Sequence, residues 1–377
     1  MKIRRASVWL FERRLDGHAW NPAFRWTRRH APLLVLELED GVRGIGEAWS
    51  RYTDAATVLK ALDAVAAHLA GRVLDHPSEV WEQGVLDGRA QADWAGAAAW
   101  SAADMALWDA FARGRGEPLW RALGGCHAQA PVYASGGLYR DDYGLDGLRD
   151  EARGYREQGF GAMKMKIAGI PRELDLLRVA AVREGLGAQA GLWVDAVNQL
   201  SVQGALDFWR ALRPFDVSAM QSPLPPEDVE GLRRLNGSGL PVIVSEAEYR
   251  HDEFLRLLDA GAASLLQFCL TLCGGFTGGL RLDGWAADRA IPSTPQCFST
   301  SIAQAATLHF AAARPNVVSA EFHGFHDHLR GLYLPGTACI DDGFACAGTA
   351  PGLGVAIPEP GRQREGSIIR RVSEARA

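Results

Sequence analysis

Short apolar segments alternate with amphipathic stretches through the second half of the chain. After Gly124-Gly125, candidate strands lie at 132–135, 162–167, 192–195, 219–221, 242–246, 264–269, 291–296 and 317–321. Helical patterns lie between most of them, for example at 253–260. Eight strands that alternate with helices over about 200 residues predict a closed β/α barrel. An open doubly wound sheet is the alternative, but no Gly-x-Gly-x-x-Gly motif follows the first strand.

The first part of the chain has a different pattern. Two strand-like stretches, of which the second covers 32–40 and ends in an Asp-Gly turn, predict an antiparallel sheet. The aromatic and basic segment 18–26 lies between them and is interpreted as a disordered tip or a lid. An alanine-rich region from about Asp54 follows, with a helix predicted over 100–114. Strands followed by helices favour a separate α+β domain.

Composition and charge exclude several classes of function. The 40 basic and 45 acidic residues give a net charge of -5, without a basic block interleaved with aromatic residues, so nucleic acid is not an expected partner. No apolar run approaches about 18 residues, and the first residues do not form a signal peptide. The six cysteines lack Cys-x-x-Cys spacing, which argues against a zinc site and a disulfide framework. We predict a soluble cytoplasmic protein with no membrane partner, and we expect a homo-oligomer.

Polar residues lie at the final position of one predicted strand after another. They are Lys166, Asp195, Gln221, Glu246, Cys269, Gln296 and Glu321. Successive members of this set are 23 to 29 positions apart, which is the length of one strand-plus-helix unit. A single residue of this kind would more often be a polar group that faces solvent. The whole set predicts side chains that meet at one rim of a barrel, where barrel enzymes place their chemistry.

Two lysines, Lys164 and Lys166, lie two positions apart in an apolar, strand-like run. Side chains at this spacing leave the same face of a strand. Two ammonium groups held close together repel, and burial disfavours their charge, so both effects lower a lysine pKa. A lysine that is neutral near pH 7 can act as a base. Two solvated lysines on an edge strand are the alternative for an isolated Lys-x-Lys motif.

Three consecutive predicted strands end in oxygen-bearing side chains. Asp195, Gln221 and Glu246 offer two carboxylates and an amide carbonyl, which are hard ligands of the type that Mg²⁺ accepts. A lysine base on the neighbouring strand would then face a metal-bound substrate. A divalent metal beside a bound carboxylate makes the adjacent carbon acidic, because it stabilises the enolate that forms.

Together these motifs resemble the enolase superfamily, in its mandelate racemase/muconate lactonizing enzyme branch. The resemblance runs along essentially the whole chain and includes 103–109, 118–125, 132–137, 223–231 and the pair Gly274-Gly275, which we interpret as part of a flexible loop. It implies an α+β capping domain (1–125), a modified (β/α)7β barrel (126–330) and a C-terminal segment (331–377) that returns to the capping domain. It also implies Mg²⁺, and abstraction of the proton next to a carboxylate by Lys166, with Lys164 tuning the pKa of that base.

The sequence departs from the family pattern on both sides of the expected site. Gln221 stands where the second metal ligand is normally Glu, and the loss of one negative charge is expected to weaken Mg²⁺ binding. Cys269 and Gln296 stand where racemases of this branch have an Asp and a His. A cysteine can exchange a proton, but a buried strand cysteine is more often inert, and Gln296 cannot act as an acid or base. Glu321 remains available to bind substrate or act as an acid.

Two further groups of residues are candidates for contacts with substrate. By the resemblance, capping-domain loops that carry Trp20, Arg25, Trp26 and Arg51 close over the substrate, and an arginine suits a carboxylate. A solvated basic loop is the alternative. After the last predicted strand come His323, His326 and His328, which are either a proton donor at the rim or solvated histidines of a surface loop.

Three functions fit these residues. The first is a lyase that dehydrates an acid sugar or hydroxy acid, in which Lys166 takes the proton next to the carboxylate of a small substrate and a hydroxyl leaves the neighbouring carbon. The second is a metal-poor pseudoenzyme or carboxylate-binding protein, for which Gln221 is the main support. The third is a racemase or epimerase, which needs proton donors on both faces and is weakened by Cys269 and Gln296. We rank them in this order.

Overall fold

The computed structural model describes residues 1–50, 55–244, 247–298, 300–323, 340–357, 361, 363–364 and 367–377. The strands are β1 (Ile3–Arg14), β2 (Ala19–Asn21), β3 (Phe24–Arg25), β4 (Arg28–Leu38), β5 (Arg43–Glu47), β6 (Gln129–Ser135), β7 (Tyr139–Arg140), β8 (Ala162–Lys166), β9 (Gly191–Asp195), β10 (Ala219–Gln221), β11 (Val242–Val244), β12 (Leu265–Leu266), β13 (Ala320–Phe322), β14 (Ile340–Asp341), β15 (Phe344–Cys346), β16 (Gln363–Arg364) and β17 (Ser367–Arg376). The helices are α1 (Ala55–Leu69), α2 (Glu79–Leu86), α3 (Trp94–Gly114), α4 (Leu119–Ala122), α5 (Leu145–Glu157), α6 (Arg172–Leu186), α7 (Val202–Leu212), α8 (Val229–Gly237), α9 (His251–Asp259), α10 (Gly275–Ala287) and α11 (Ser301–Ala313), with a 3-10 turn at Arg213–Phe215.

The predicted β/α barrel is confirmed. Strands β6, β8, β9, β10, β11 and β12 pair in that order and in parallel, and β13 pairs in parallel with β6. Helices α5 to α11 alternate with these strands. The ring closes through single parallel bridges from Leu266 to Ser293 and from Ser293 to Val317. Most residues of the parallel strands are buried on both faces of the sheet, as in β11, where all three residues are buried.

The sixth and seventh barrel strands are shorter than the sequence suggested. The prediction of strands over 264–269 and 291–296 is wrong in length, because β12 covers two residues and the seventh strand is reduced to bridges at Ser293 and Gln296. Pro292 and Pro295 lack the N–H that a continuous ladder needs. On the sixth strand the chain turns at Cys269, whose carbonyl accepts the N–H of Leu272 (2.9 Å) and of Cys273 (2.8 Å).

An antiparallel sheet of order β16-β17-β1-β4-β5 forms the centre of the N-terminal domain. The two faces of β4 alternate: Leu34 and Leu36 pack in the core of the N-terminal helices, whereas Leu33 and Val35 pack in the core shared with the barrel. The C-terminal strand β17 pairs with β1, so the end of the chain returns to this sheet.

The segment 18–26 is an ordered hairpin, so its interpretation as a disordered tip is wrong. Strands β2 and β3 pair with each other, and β2 also pairs with β7, which follows the first barrel strand. Trp26 is fully buried and its ring lies 5.4 Å from that of Phe298, in the loop after the seventh strand. The hairpin therefore connects the N-terminal domain to the mouth of the barrel.

The pair Gly274-Gly275 begins helix α10, so the prediction of a flexible loop here is wrong. Gly274 and Gly275 have φ values of +99° and +64°. A Cβ on Gly275 would lie 2.3 Å from Oδ1 of Asp104, a buried residue of α3. Asp104 accepts the N–H of Thr277 at 3.0 Å, and burial raises the pKa of its carboxyl to about 7. The glycines are present because α10 starts in close contact with the N-terminal domain.

The expectations about membrane-spanning helices and about disulfides can be compared with the described part of the chain. None of its helices combines the length and apolar character required to cross a membrane. None of its five cysteines is part of a disulfide.

The contact at the start of α10 predicts a position-specific glycine effect. Gly275→Ala is expected to lower the free energy of unfolding by at least about 2 kcal/mol, because it combines a strained φ with a steric clash. The measurement is urea unfolding followed by circular dichroism. Gly284→Ala, in the same helix but with open space at the Cβ position, is the matched control and should raise stability by about 0.5 to 1 kcal/mol. Equal effects of both substitutions would contradict this explanation.

Candidate active site

Three adjacent barrel strands end in the polar residues that the sequence singled out. In the strand register, Lys166 lies opposite Asp195, and Asp195 lies opposite Gln221. Because the strands are parallel, their carboxyl ends share one rim of the ring. Asp195 and Gln221 are fully buried, while Lys166 keeps 5% of its surface exposed. The structure therefore brings these three residues together, as expected.

Two lysines and two carboxylates form a buried ionic cluster at this rim. Nζ of Lys164 lies 2.7 Å from Oε1 of Glu321 and 3.6 Å from Oδ2 of Asp195. Nζ of Lys166 forms an ion pair with the same Asp195 oxygen. The predicted repulsion between the two ammonium groups is thus balanced by one carboxylate for each of them. A buried charge is tolerated only when it is paired and hydrogen-bonded in this way.

Backbone groups hold the two carboxylates in place. The N–H of Val197 donates to Oδ1 of Asp195 at 3.0 Å, and the N–H of Cys297 donates to Oε2 of Glu321 at 3.0 Å. Burial by itself would raise the pKa of Asp195, but the ammonium groups of Lys166 and Lys164 outweigh burial and hold this pKa below its ordinary value. Asp195 is therefore ionised over the whole neutral range.

The predicted magnesium ligands can be tested in part. Glu246 lies outside the described residues. Gln221 accepts a hydrogen bond from Nζ of Lys164 at 2.8 Å, and Asp195 is paired with Lys166. No three His, Cys, Asp or Glu side chains of the described residues are grouped so that they could hold a metal ion. One carboxylate already neutralised by an ammonium, together with one amide, does not by itself fit a small divalent cation that needs a full shell of oxygens.

On the opposite side of the rim, neither Cys269 nor Gln296 exchanges a proton near neutral pH. Cys269 and Gln296 are joined by a backbone bridge between the sixth and seventh strands. Sγ of Cys269 lies 3.0 Å from Oγ1 of Thr271, and burial raises the pKa of the thiol to about 12. Oε1 of Gln296 is buried and has no hydrogen-bond partner among the described residues. The inert alternative for Cys269 therefore agrees with the structure.

Trp20 and Arg25 do not join the ionic cluster. Arg25 forms an ion pair with Asp141 and has 45% of its side chain exposed. The indole N–H of Trp20 donates to the same carboxylate at 3.2 Å, and its ring stacks on that of Tyr139 at 4.3 Å. These contacts place both residues on the outer hairpin. Contact of Trp20 and Arg25 with a substrate stays a prediction.

Histidines after the last strand and one N-terminal arginine were the remaining candidates. His323 is buried, and its ring packs edge-on against Phe298 at 4.9 Å, so a solvated position is wrong for this residue. His326, His328 and Arg51 lie outside the described residues.

Sequence reasoning missed two charged residues of the N-terminal domain that reach the barrel mouth. Arg29 on β4 is buried, and its guanidinium donates to the carbonyl of Phe298. Glu47 at the end of β5 accepts hydrogen bonds from Oγ1 of Thr300 and from the N–H of Ala303 at 3.2 Å, so it holds the start of α11. Glu47 could have been found as one more polar residue at a strand end. Arg29 lies inside a strand, and no sequence motif marks it.

Comparisons with known proteins agree with this geometry. The model of the enolase C-terminal domain-like family matches residues 147–360, and the model of the mandelate racemase/muconate lactonizing enzyme N-terminal domain matches residues 15–124. The chain is 30% identical to D-galactarolactone cycloisomerase of Agrobacterium fabrum, over 95% of this chain and 97% of that one. It is 29% identical to arabinonate dehydratase of Saccharolobus solfataricus, over 68% and 69% of the two chains.

Solved structures give the same result. A racemase from Streptomyces coelicolor with bound magnesium superposes with a TM-score of 0.85 at 26% identity, over 94% of this chain and 97% of that chain. A mandelate racemase/muconate lactonizing enzyme-like protein from Rubrobacter xylanophilus also has a TM-score of 0.85, at 30% identity over 95% and 97%.

The amide at position 221 predicts a measurable difference in metal binding. Gln221→Glu is expected to increase Mg²⁺ affinity about tenfold or more, because it adds a negative charge beside Asp195. Isothermal titration calorimetry of Mg²⁺ into both proteins measures the change. Gln203→Glu adds the same charge on α7 away from the rim and should leave the affinity unchanged. The explanation fails if the natural protein already binds Mg²⁺ as tightly as the Gln221→Glu variant.

Proposed function

The chain belongs to the mandelate racemase/muconate lactonizing enzyme family of the enolase superfamily, and on this premise we propose that it is a lyase that dehydrates a small acid sugar. The family's enzymes include dehydratases and cycloisomerases, as the similar proteins illustrate. The observation that carries the proposal is the one-sided arrangement of the site. Two lysines paired with carboxylates occupy one side, and a neutral thiol and an amide occupy the other.

Lys166 is the proposed base because its side chain reaches the rim. It is the more exposed of the two lysines, at 5% against 1% for Lys164. Once Lys166 has given up its own proton to solvent, its amine removes the proton next to the substrate carboxylate, and the C–H electron pair moves into that carboxylate to form an enolate. The hydroxyl on the neighbouring carbon then leaves with its bonding electrons and takes the proton back from Lys166, which gives water and a double bond. One base on one face is sufficient for this sequence.

Lys164 is proposed to stabilise the charge that develops on the substrate. Its ammonium is fixed by Glu321 and Gln221, at 2.7 and 2.8 Å, before any substrate binds. A charge that is already oriented in a buried site stabilises an enolate without further rearrangement. Glu321 therefore acts in this proposal mainly by positioning Lys164.

A racemase is the less favoured reading, because it needs a proton donor on each face of the carbon. Cys269 has a thiol pKa of about 12, and Gln296 has no proton to transfer. A carboxylate-binding protein without activity remains the second candidate, since the amide of Gln221 is engaged by Lys164.

The proposal extends to the metal, the cellular location and the oligomeric state. Enzymes of this superfamily typically use Mg²⁺, and we propose that Gln221 makes its binding weak in this chain. The cytoplasmic location and a homo-oligomeric state stay predictions from the sequence.

Proton exchange in D₂O tests the proposed reaction directly. The protein is incubated with a panel of five- and six-carbon aldonic and aldaric acids, and mass spectrometry detects deuterium uptake or loss of water. Lys166→Ala should lower the rate about a hundredfold to ten-thousandfold, since that is what a general base contributes. Lys60→Ala, an exposed lysine of α1, is the control and should keep the rate.

Two results would contradict the proposal. Unchanged exchange in Lys166→Ala would remove this residue from the reaction. No exchange and no loss of water with any acid, combined with calorimetric binding of one of them, would favour the binding protein.

A further inference from the structure

Arg29 brings a buried positive charge from the N-terminal domain to the mouth of the barrel. Arg29 lies on β4, two and four positions before Ala31 and Leu33, so its side chain leaves the same face of the strand. The side chains of Ala31 and Leu33 pack on the barrel face of the sheet. Only 3% of its surface is exposed. Its guanidinium is close enough for electrostatic interaction with Glu47, Cys269 and Cys297. Arg29 thus reaches the ends of the sixth and seventh barrel strands.

The guanidinium of Arg29 is incompletely satisfied. One N–H donates to the carbonyl of Phe298, and the group lies 4.9 Å from the ring of that residue. Nε is buried without a hydrogen-bond partner, and none of the carboxylates in the described ranges forms an ion pair with it. The nearby Glu47 is engaged by the start of α11. Burial lowers the pKa of Arg29, and the nearby Glu47 offsets this effect only in part.

The position of Arg29 is across the ring from the lysines. Lys164 and Lys166 lie on β8, the second of eight strands around the ring, and Cys269 and Gln296 end the sixth and seventh. The second and sixth members of an eight-membered ring are opposite each other. The buried Oε1 of Gln296, which has no donor among the described residues, lies on the same side as Arg29. Among the described residues on this side of the mouth, no carboxylate forms an ion pair with the guanidinium, and no donor reaches this amide oxygen.

We propose that Arg29 binds the second carboxylate of a dicarboxylic acid sugar, while the first carboxylate lies at Lys164 and Lys166. A hydroxyl of the same substrate donates to Gln296. A guanidinium and a carboxylate match in charge and in planar geometry, and desolvation strengthens the pair. This inference rests on the proposed function and narrows its substrate from acid sugars in general to diacids.

A purely structural role of Arg29 is the alternative, and the experiment must distinguish it from binding of a substrate carboxylate. Arg29 also ties β4 to the loop after the seventh strand through Phe298. Loss of that tie would weaken the reaction with every substrate and lower the melting temperature. Loss of a carboxylate contact would affect only substrates that carry the second carboxylate.

The test compares galactarate, a six-carbon diacid, with galactonate, the monoacid of the same length. The natural protein should have the lower KM for galactarate. Arg29→Met should raise the KM for galactarate about tenfold to a hundredfold with little change in kcat, and should leave galactonate within about twofold. Arg29→Lys, which keeps the charge but loses the planar fork, should give an intermediate KM and serves if Arg29→Met does not fold. Arg28→Met, the exposed neighbour on β4, is the matched control.

The possible outcomes distinguish failure of the diacid site from failure of the proposed lyase. Turnover of both acids with an equal loss in Arg29→Met overturns the inference and leaves the lyase in place. If neither acid is turned over, the lyase is judged on the full panel of acids, and calorimetry tests the inference on its own. In that case, tighter binding of galactarate than galactonate, lost in Arg29→Met, supports the diacid site, whereas equal binding of the two acids overturns it.

Discussion

The structure depends above all on the requirement that two lysines buried on one face of one strand be neutralised. Lys164 and Lys166 leave β8 toward the same rim, and neither could remain there as an unpaired ammonium. Asp195 from the next strand and Glu321 from the last one supply the compensating charges. These partners are far apart in sequence, so the cluster forms only when the ring closes. The charge balance thus links the chemistry of the site to the register of the barrel strands.

Buried carboxylates of the N-terminal domain fix the two domains to each other. Asp104 accepts the N–H of Thr277 in the first turn of α10, and Glu47 accepts that of Ala303 in the first turn of α11, at 3.0 and 3.2 Å. The amino end of a helix carries partial positive charge and unpaired N–H groups, so a carboxylate from another domain is well placed there. Both helices flank the seventh barrel strand. The N-terminal domain is therefore held against the side of the mouth that Arg29 reaches.

The two sides of the mouth differ in the chemistry that they can perform. Lys164 and Lys166, each paired with a carboxylate, occupy one side, and Cys269 and Gln296, neither of which exchanges a proton near pH 7, occupy the other. This asymmetry favours a reaction that begins and ends on one face of the substrate. On the opposite side, in our proposal, the charge of Arg29 and the amide of Gln296 recognise the substrate and transfer no proton.

The sequence by itself determined the barrel, because strand length and helix length repeat regularly and place Lys166, Asp195 and Gln221 at matching strand ends. It also identified the missing charge at Gln221, which depends on residue type alone. It failed at the Gly274-Gly275 pair, which it could not distinguish from a loop, because the need for glycine comes from Asp104 on a distant helix. Only the tertiary structure showed that Arg25 and Trp20 pair with Asp141 on the outer hairpin and that Arg29 is buried at the barrel mouth. Burial and ion pairing between domains decide such positions, and no local pattern encodes them.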